Sequence, residues 1–522
     1  MSGSGMDTGL GLYLRAGLPK LGGIVSVSAP TTSISPVDLT VLIVYLAATT
    51  LLGLWVGRKN TSAEQFTSAG GRLPGWAVGL SIFGTFVSSI SFLALPGKAY
   101  GSDWNALVFS LSIPLAAWVA VRWFVPFYRK SGQVSAYQHL EERFGPWART
   151  YAVVCYLLTQ LGRMGTITYM LAIALQPLTG WSLTTIIWTA GYVVLLYSFV
   201  GGIEAVIWTD VVQSVVLIGG ALLCLALLVS GLPGGTTQLF SAEMAPKFSL
   251  GSFQWDWQTA TFWTVLVYGL VINLQNFGID QSYVQRYATA KSDAEASKSV
   301  WLGALLYVPI SAVFLLIGTA LYAYYQSGVA DLPIGIKNDE VFPHFIKHGL
   351  PVGVSGLLVA GIFAAAQSTL SSSVNCAATL IHGDLYQRYL RPQASPRESL
   401  RVLRLATLVF SLGGTMVAFK MIGTESALDA WWKVAGVFSG GMLGLFLLGL
   451  LSRASNAVAL LSVLLGVAVI SWMTLSSLRP DAVPEGMRSH FHDYWVPVFG
   501  TLTILLAGFI LTVLAGRKKL KS

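Results

Sequence analysis

Charge is what this sequence has least of: Asp, Glu, Lys and Arg together make up 11% of its 522 residues, against about 25% in soluble globular proteins. So few charges cannot cover a water-facing surface, which excludes a soluble globular class. Cysteine is scarce as well. Cys155, Cys224 and Cys376 lie far apart inside apolar runs without any CxxC pattern, give no sign of a disulfide or metal site, and read as small buried side chains. The six histidines, His139, His344, His348, His382, His490 and His492, fall in loops or at the ends of apolar runs. His344 and His348 in HFIKH have helical spacing but no acid between them, unlike a zinc-protease motif. The longest polar connections, about residues 231–258 and 326–350, are too short to fold as domains. An enzyme is therefore not expected.

What the chain has is long apolar runs. Hydrophobic residues are 54% of the total and aromatics 12%, with 17 Trp, and the mean hydropathy is +0.66. Rings in such numbers suit the two interfaces of a bilayer. A helix needs about 20 apolar residues to cross. Thirteen such runs occur, at roughly 37–57, 76–97, 104–127, 149–177, 181–201, 207–230, 259–283, 299–325, 351–384, 402–421, 427–452, 455–477 and 493–516. The fold expected is an all-α polytopic membrane protein of about 13 transmembrane helices. Residues 1–36, rich in Gly and Ser, read as a flexible extracytoplasmic leader, and 517–522 as a basic cytoplasmic tail.

The net charge of +9 reads as topology. With the amino terminus outside, 21 of the 32 Lys and Arg fall in inner loops, including Arg286 in the stretch 286–298, and Arg163 alone sits at mid-depth. This excess sets the amino terminus out and the carboxyl terminus in. Nucleic acid is not an expected partner, and no obligate protein partner is evident.

Two segments weaken their helices. SIFGTFVSSISFLALPG at 81–97 carries Gly84, Thr85, Ser88, Ser89, Ser91 and Pro96, and GLVINLQNFGIDQSY at 269–283 carries Asn273, Gln275, Asn276, Gly278 and Asp280. Unwound backbone is tolerated at membrane depth only against protein or a water-filled cavity. Close packing of small residues is the alternative for each segment alone. Leaving out the first run, they open spans five apart, so they enter the membrane in opposite directions. That is the layout of an inverted-repeat secondary transporter whose broken helices meet at the midplane.

A third segment, AAAQSTLSSSVNCAATL at 364–380, places Ser368, Thr369, Ser371, Ser372 and Ser373 in a run with no charge between Lys347 and Asp384. A hard cation accepts neutral oxygens if enough converge, and unwound backbone can offer its carbonyls. A hydroxyl-rich helix opposite a broken one would make a sodium cage; hydroxyls bonded back to their own helix are the competing reading. Two charges stand out. Arg163 at mid-membrane costs at least about 2.5 to 3.5 kcal/mol and suits either a substrate carboxylate or a structural pair with Asp103 or Asp280. Asp210 begins a span, where an acid also stabilises a helix amino terminus.

The run GTFVSSISFLALPGKAY followed by SDW, the motif GGIEAVIWTDVVQ at 201–213 and AAAQSTLSSS at 364–373 resemble the sodium:solute symporter family, most closely its bacterial sodium:sialic acid symporters. The likeness runs from about residue 37 to near the end of the chain. It implies a LeuT-like core of five plus five inverted-repeat helices over about 76–452, whose first and sixth members are discontinuous, with one extra helix before it (37–57) and two after (455–516).

The resemblance implies a first sodium site of the Gly84, Val87 and Ala365 carbonyls with the Ser368 and Thr369 hydroxyls. A second would use Asp210, Ser368, Ser371 and Ser372, so one or two Na+ are coupled, with two favoured. Ser88 and Ser91 would hold a substrate carboxylate, with Arg163 and Asn273 nearby. Phe86 and Ser110 stand where the sialic acid pattern has threonine and glutamine. The function expected is sodium-coupled import of an organic anion, a sialic acid such as N-acetylneuraminate, across the bacterial inner membrane. A symporter for a neutral sugar or other small solute is the alternative, and a non-transporting membrane sensor or subunit the alternative of another class.

Overall fold

The computed structural model describes residues 34–422 and 441–519, apart from the side chains of Ile90 and residues 516–519, and every described segment of length is helical. Helix α1 (Pro36–Gly57) precedes a short α2 (Ala63–Ser68), and the first weak segment then forms α3 (Gly75–Phe86) and α4 (Ser89–Gly101). Next come α5 (Leu107–Ser131), α6 (Gln138–Phe144), α7 (Pro146–Thr179) and α8 (Leu183–Ser230). The second weak segment forms α9 (Phe262–Ile279) and α10 (Gln281–Thr289). After these come α11 (Asp293–Gln326), α12 (Asn338–His348), α13 (Val354–Leu390), α14 (Pro396–Lys420), α15 (Met442–Leu451), α16 (Asn456–Leu478) and α17 (Trp495–Lys519).

Among the described residues nine helices are long and apolar enough to cross a membrane, or ten if the broken pair α3 and α4, bent by 55°, counts as one span. The expectation of thirteen differs from this at three places. Helix α8 takes in runs 181–201 and 207–230 together and counts once by length, but it is two helical stretches that meet at Gly202, whose φ of 55° and ψ of −152° are open only to glycine. Helix α7 has the length but carries Gln160 and Arg163 among its apolar residues. Most of the run 427–452 lies outside the described residues, α15 being its last part. The leader 1–36 and the tail 517–522 lie almost wholly outside them too, their described residues being Ile34–Pro36 and the end of α17.

The core sits around α13, whose residues from Leu358 to Leu380 are buried without exception. A helix enclosed on all sides has no lipid-facing stripe, so polar side chains there must find partners in neighbouring helices. Helix α1, outside the expected core, is tied to it at two points. Asp38 accepts from the backbone N–H groups of Gly353 and Gly356, both at 2.7 Å, capping the start of α13. Lower down, the Tyr45 hydroxyl donates to Gln367 Oε1 at 2.8 Å. The three cysteines are free and buried.

Candidate functional site

Both weak segments break. Between α3 and α4 the chain is extended at Val87 (φ −84°, ψ 104°) and Ser88 (φ −100°, ψ 170°), and Ser88 becomes the N-cap of α4. Between α9 and α10 it is extended at Asp280 (φ −78°, ψ 123°), whose carboxylate caps α10 by accepting from the Ser282 N–H at 2.7 Å. The breaks are satisfied differently. The carbonyls of Phe277 and Gly278 are taken by the hydroxyls of Tyr287 (2.8 Å) and Tyr128 (2.7 Å). No described side chain bonds the carbonyls of Gly84 or Val87. The first break thus keeps oxygens available for a cation, and the second is closed by the protein itself.

A cavity of about 410 Å³ lies where the breaks meet, lined by Phe86, Ser88 and Ser91 from the first, Asp280 and Tyr283 from the second, and Arg163 from α7. Arg163 makes no ion pair among the described residues, though it lies near enough to Asp280 and Tyr283 to act on them electrostatically. It faces the amino terminus of α4 across the cavity lining, so a guanidinium and a helix end carrying positive partial charge serve one space. Phe86 packs against Tyr283 (ring centroids 4.8 Å), Tyr307 (5.4 Å) and Phe277 (5.6 Å), forming an aromatic wall.

Two expected substrate residues lie off the cavity. Asn273 is fully buried and donates to Ser112 Oγ at 3.0 Å. Ser110 is bonded to Ser311 Oγ at 2.8 Å. The reason is helical phase. Tyr268, Ile272, Gln275 and Asn276 line the cavity at positions that share one face of α9, leaving Asn273 on the neighbouring face toward α5. On α5 it is Phe109 that reaches the lining.

The hydroxyls of α13 divide. Ser368 Oγ makes no hydrogen bond of normal geometry among the described residues, lies near the Asp210 carboxylate, and points at the end of α3, since a Cβ on Gly84 would stand 2.7 Å from it. Thr369 bonds back to the Ala365 carbonyl at 3.3 Å and Ser371 to the Ser368 carbonyl at 3.2 Å. Ser372 lies 3.2 Å from Thr85 Oγ1, and Ser373 donates to Gln160 Oε1 at 2.7 Å. Ser368 and Gly84 are therefore brought together, while the Thr369 hydroxyl is taken up by the Ala365 carbonyl one turn below it.

Asp210 is not at a helix end. It lies inside the second stretch of α8, eight residues beyond the break at Gly202, fully buried and paired with an equally buried Arg286 at 3.0 Å. The same guanidinium donates to Ser372 Oγ at 2.7 Å and Ser81 Oγ at 2.9 Å, and Ser81 donates to Asp210 Oδ2. Asp210 Oδ1 and Ser368 Oγ make no hydrogen bond of normal geometry among the described residues, though the Ser368 hydroxyl lies close enough to act on the carboxylate. This corrects the sequence reading, which counted Arg286 among inner-loop charges and took Arg163 as the only arginine at depth. Removing Arg286 from that tally leaves the inner excess standing. The missed signal was Asp210 itself: an acid inside a span calls for a cation, and Arg286 follows the second broken helix closely enough to supply it. Asp280, expected as one of the residues that weaken its helix and as a candidate partner of Arg163, also caps α10 and lines the cavity.

A helical bundle with two broken helices meeting at a cavity, and a hydroxyl-rich helix packed against the first of them, is a secondary transporter of the LeuT-like class. The sequence model of the sodium:solute symporter family matches residues 66–466, and the chain belongs to that family. The sodium/sialic acid symporter SiaT of Proteus mirabilis is 33% identical over 478 residues, covering 91% of this chain and 94% of that protein. NanT of Aliivibrio fischeri, also a sodium/sialic acid symporter, is 34% identical over 475 residues, covering 90% and 91%. A solved Na+-coupled sialic acid symporter, in a substrate-bound outward-open state with a novel Na+-site, matches with a TM-score of 0.85 at 32% identity over 92% of this chain and 98% of that one.

Proposed function

We propose that this protein imports a sialic acid with sodium across the bacterial inner membrane, by alternating access and without covalent chemistry, its amino terminus outside and carboxyl terminus inside. The observation that carries the reading is Arg163. It is an arginine with no ion pair among the described residues, lining together with Asp280 the cavity at the amino terminus of α4. A guanidinium so placed is costly in a membrane unless a substrate anion completes it. The carboxylate lies between Arg163 and the hydroxyls of Ser88 and Ser91, and Phe86 packs on the apolar face of the substrate. The family's own symport activity and the two sodium/sialic acid relatives support the choice of ion and acid.

The first sodium is held by the Gly84, Val87 and Ala365 carbonyls with Ser368 and Thr369. The second is held by Asp210 Oδ1 with Ser368, Ser371 and Ser372; the nearness of the buried Ser368 hydroxyl to the Asp210 carboxylate, with neither Oδ1 nor Oγ in a hydrogen bond of normal geometry, supports it. The test is uptake of labelled sialic acid into proteoliposomes with and without an inward sodium gradient. Gradient-dependent uptake, competed by sialic acid and not by an analogue lacking the carboxylate, is the expected outcome.

The aromatic wall of Phe86, Tyr283 and Tyr307 favours one second reading, a neutral sugar stacked on those rings. Equal competition by acid and neutral analogue would establish that reading and remove the first.

A further inference from the structure

The polar face of α13 does not stop at Ser372. Asn375 and Thr379 continue it at helical spacing, both buried, on the side of the molecule that carries α2. Opposite them Gln285, fully buried on α10, points its amide nitrogen at three oxygens at once. These are the Thr67 carbonyl at 2.7 Å, Asn375 Oδ1 at 2.9 Å and Thr379 Oγ1 at 3.0 Å. A carboxamide nitrogen has two protons and can satisfy two acceptors well, not three. Asn375 Nδ2, in the same contact, has no partner and no exposure.

Three neutral oxygens, one from α2 and two from successive turns of α13, thus converge on a point that a two-proton donor fills incompletely. A small cation has no such limit, since it accepts as many oxygens as can reach it. Gln285 is also the chain neighbour of Arg286, whose guanidinium spans Asp210 and Ser372. Any shift of α10 that moves Arg286 on Asp210 moves the amide in this cage.

We propose that Thr67, Asn375 and Thr379 form a transient sodium site on the release path between the Asp210 site and the α2 side of the protein, and that the Gln285 amide plugs it in the present conformation. The inference rests on the sodium sites assigned under the proposed function. When α10 swings the plug away, a partly hydrated sodium ion takes the place of the amide nitrogen, and the ion leaves past α2. With the plug in place the cage is closed, and sodium arriving at Asp210 from the opposite side is retained.

The experiment is 22Na+ efflux from proteoliposomes in the absence of organic substrate. Full-length wild type, Gln285→Ala and the double variant Gln285→Ala/Thr379→Val are compared, and sodium-dependent thermal stabilisation is measured on each purified protein. Gln285→Ala is expected to keep the wild-type sodium midpoint for stabilisation, because the principal sites are untouched. Its substrate-free efflux should rise about two- to tenfold, the range set by losing about one amide hydrogen bond from the closed state. The double variant, with one cage oxygen replaced by an isosteric methyl, should return toward the wild-type rate. A Gln285→Ala protein that binds sodium normally and leaks no more than wild type overturns the proposal, as does a double variant that leaks like the single. If Gln285→Ala does not fold, Thr379→Val alone decides. Slower coupled uptake at an unchanged sodium midpoint supports the site, and an unchanged rate removes it. Absence of sodium stabilisation in wild type would instead count against the proposed function.

Discussion

Arg163, Thr369 and Asp210 are each expected to fail in a different way when altered. Loss of Arg163 leaves a substrate carboxylate desolvated without its charge partner, a loss of about 2 to 5 kcal/mol for buried charged pairs. In equilibrium binding at saturating sodium, Arg163→Ala should lose most of the preference for sialic acid over a neutral analogue while its thermal unfolding stays near wild type. Arg163→Lys should not fully restore it, since an ammonium lacks the planar fork a carboxylate accepts. Thr369→Ala removes one hydroxyl proposed as a ligand of the first sodium and, since Thr369 does not line the cavity, leaves the cavity shape alone. Uptake measured against sodium concentration should show a raised half-saturation, and an unchanged curve would make Thr369 a packing residue. Asp210 answers to Arg286. Asp210→Asn strands a guanidinium with no exposure, which costs about 3 to 5 kcal/mol. Thermal unfolding in detergent should therefore show Asp210→Asn less stable than the double variant Asp210→Asn/Arg286→Met, in which no charge is left unpaired.

At the scale of elements, the site depends on breaks and bends at fixed positions. Helix α8 carries Asp210 to α13 only because it turns at Gly202. A Cβ there would come within 2.6 Å of the Phe66 carbonyl oxygen, and the backbone angles are themselves closed to other residues. Gly202→Ala should destabilise the protein by about 1 to 3 kcal/mol for the backbone conformation, with a further cost from displacing α2. The drop in unfolding temperature of the purified variant checks this, and a wild-type value would mean that the bend has another origin. The two broken helices look alike in sequence, each a polar interruption of an apolar run, yet Tyr128 and Tyr287 fill the second break and leave the first open. The proposal of a sodium ion at the first break rests on that difference.

For the whole molecule the testable quantity is the charge moved per cycle. Two sodium ions with one monoanion carry a net single positive charge, to which about 100 mV of membrane potential adds roughly 2.3 kcal/mol. Sialic acid uptake into proteoliposomes should accelerate when a valinomycin-set potassium gradient makes the interior negative. Uptake that ignores the potential would reduce the stoichiometry to one sodium and leave Asp210 a structural partner of Arg286.

The sequence by itself determined the class, the order of most spans, the two weak segments and the hydroxyl run, because each is a local matter. Apolar length follows from bilayer thickness, and Gly84, Ser88, Asn276 and Asp280 weaken helices wherever those helices pack. The motifs also carried the family. Only the tertiary structure decided which polar groups meet. Ser110 and Asn273 have the right chemistry and the wrong helical phase, a rotation of one residue that composition does not record. Arg286 looked like a loop charge because its neighbours Gln281 and Gln285 are polar, and folding buries all three against α13 and its surroundings. Asp210 resembled a helix cap because the bend at Gly202 hides in the sequence as the end of one run and the start of another. Pairing of buried charges is a long-range property: the partners here stand 76 residues apart, and nothing short of packing α8, α10 and α13 together could bring Arg286 to Asp210.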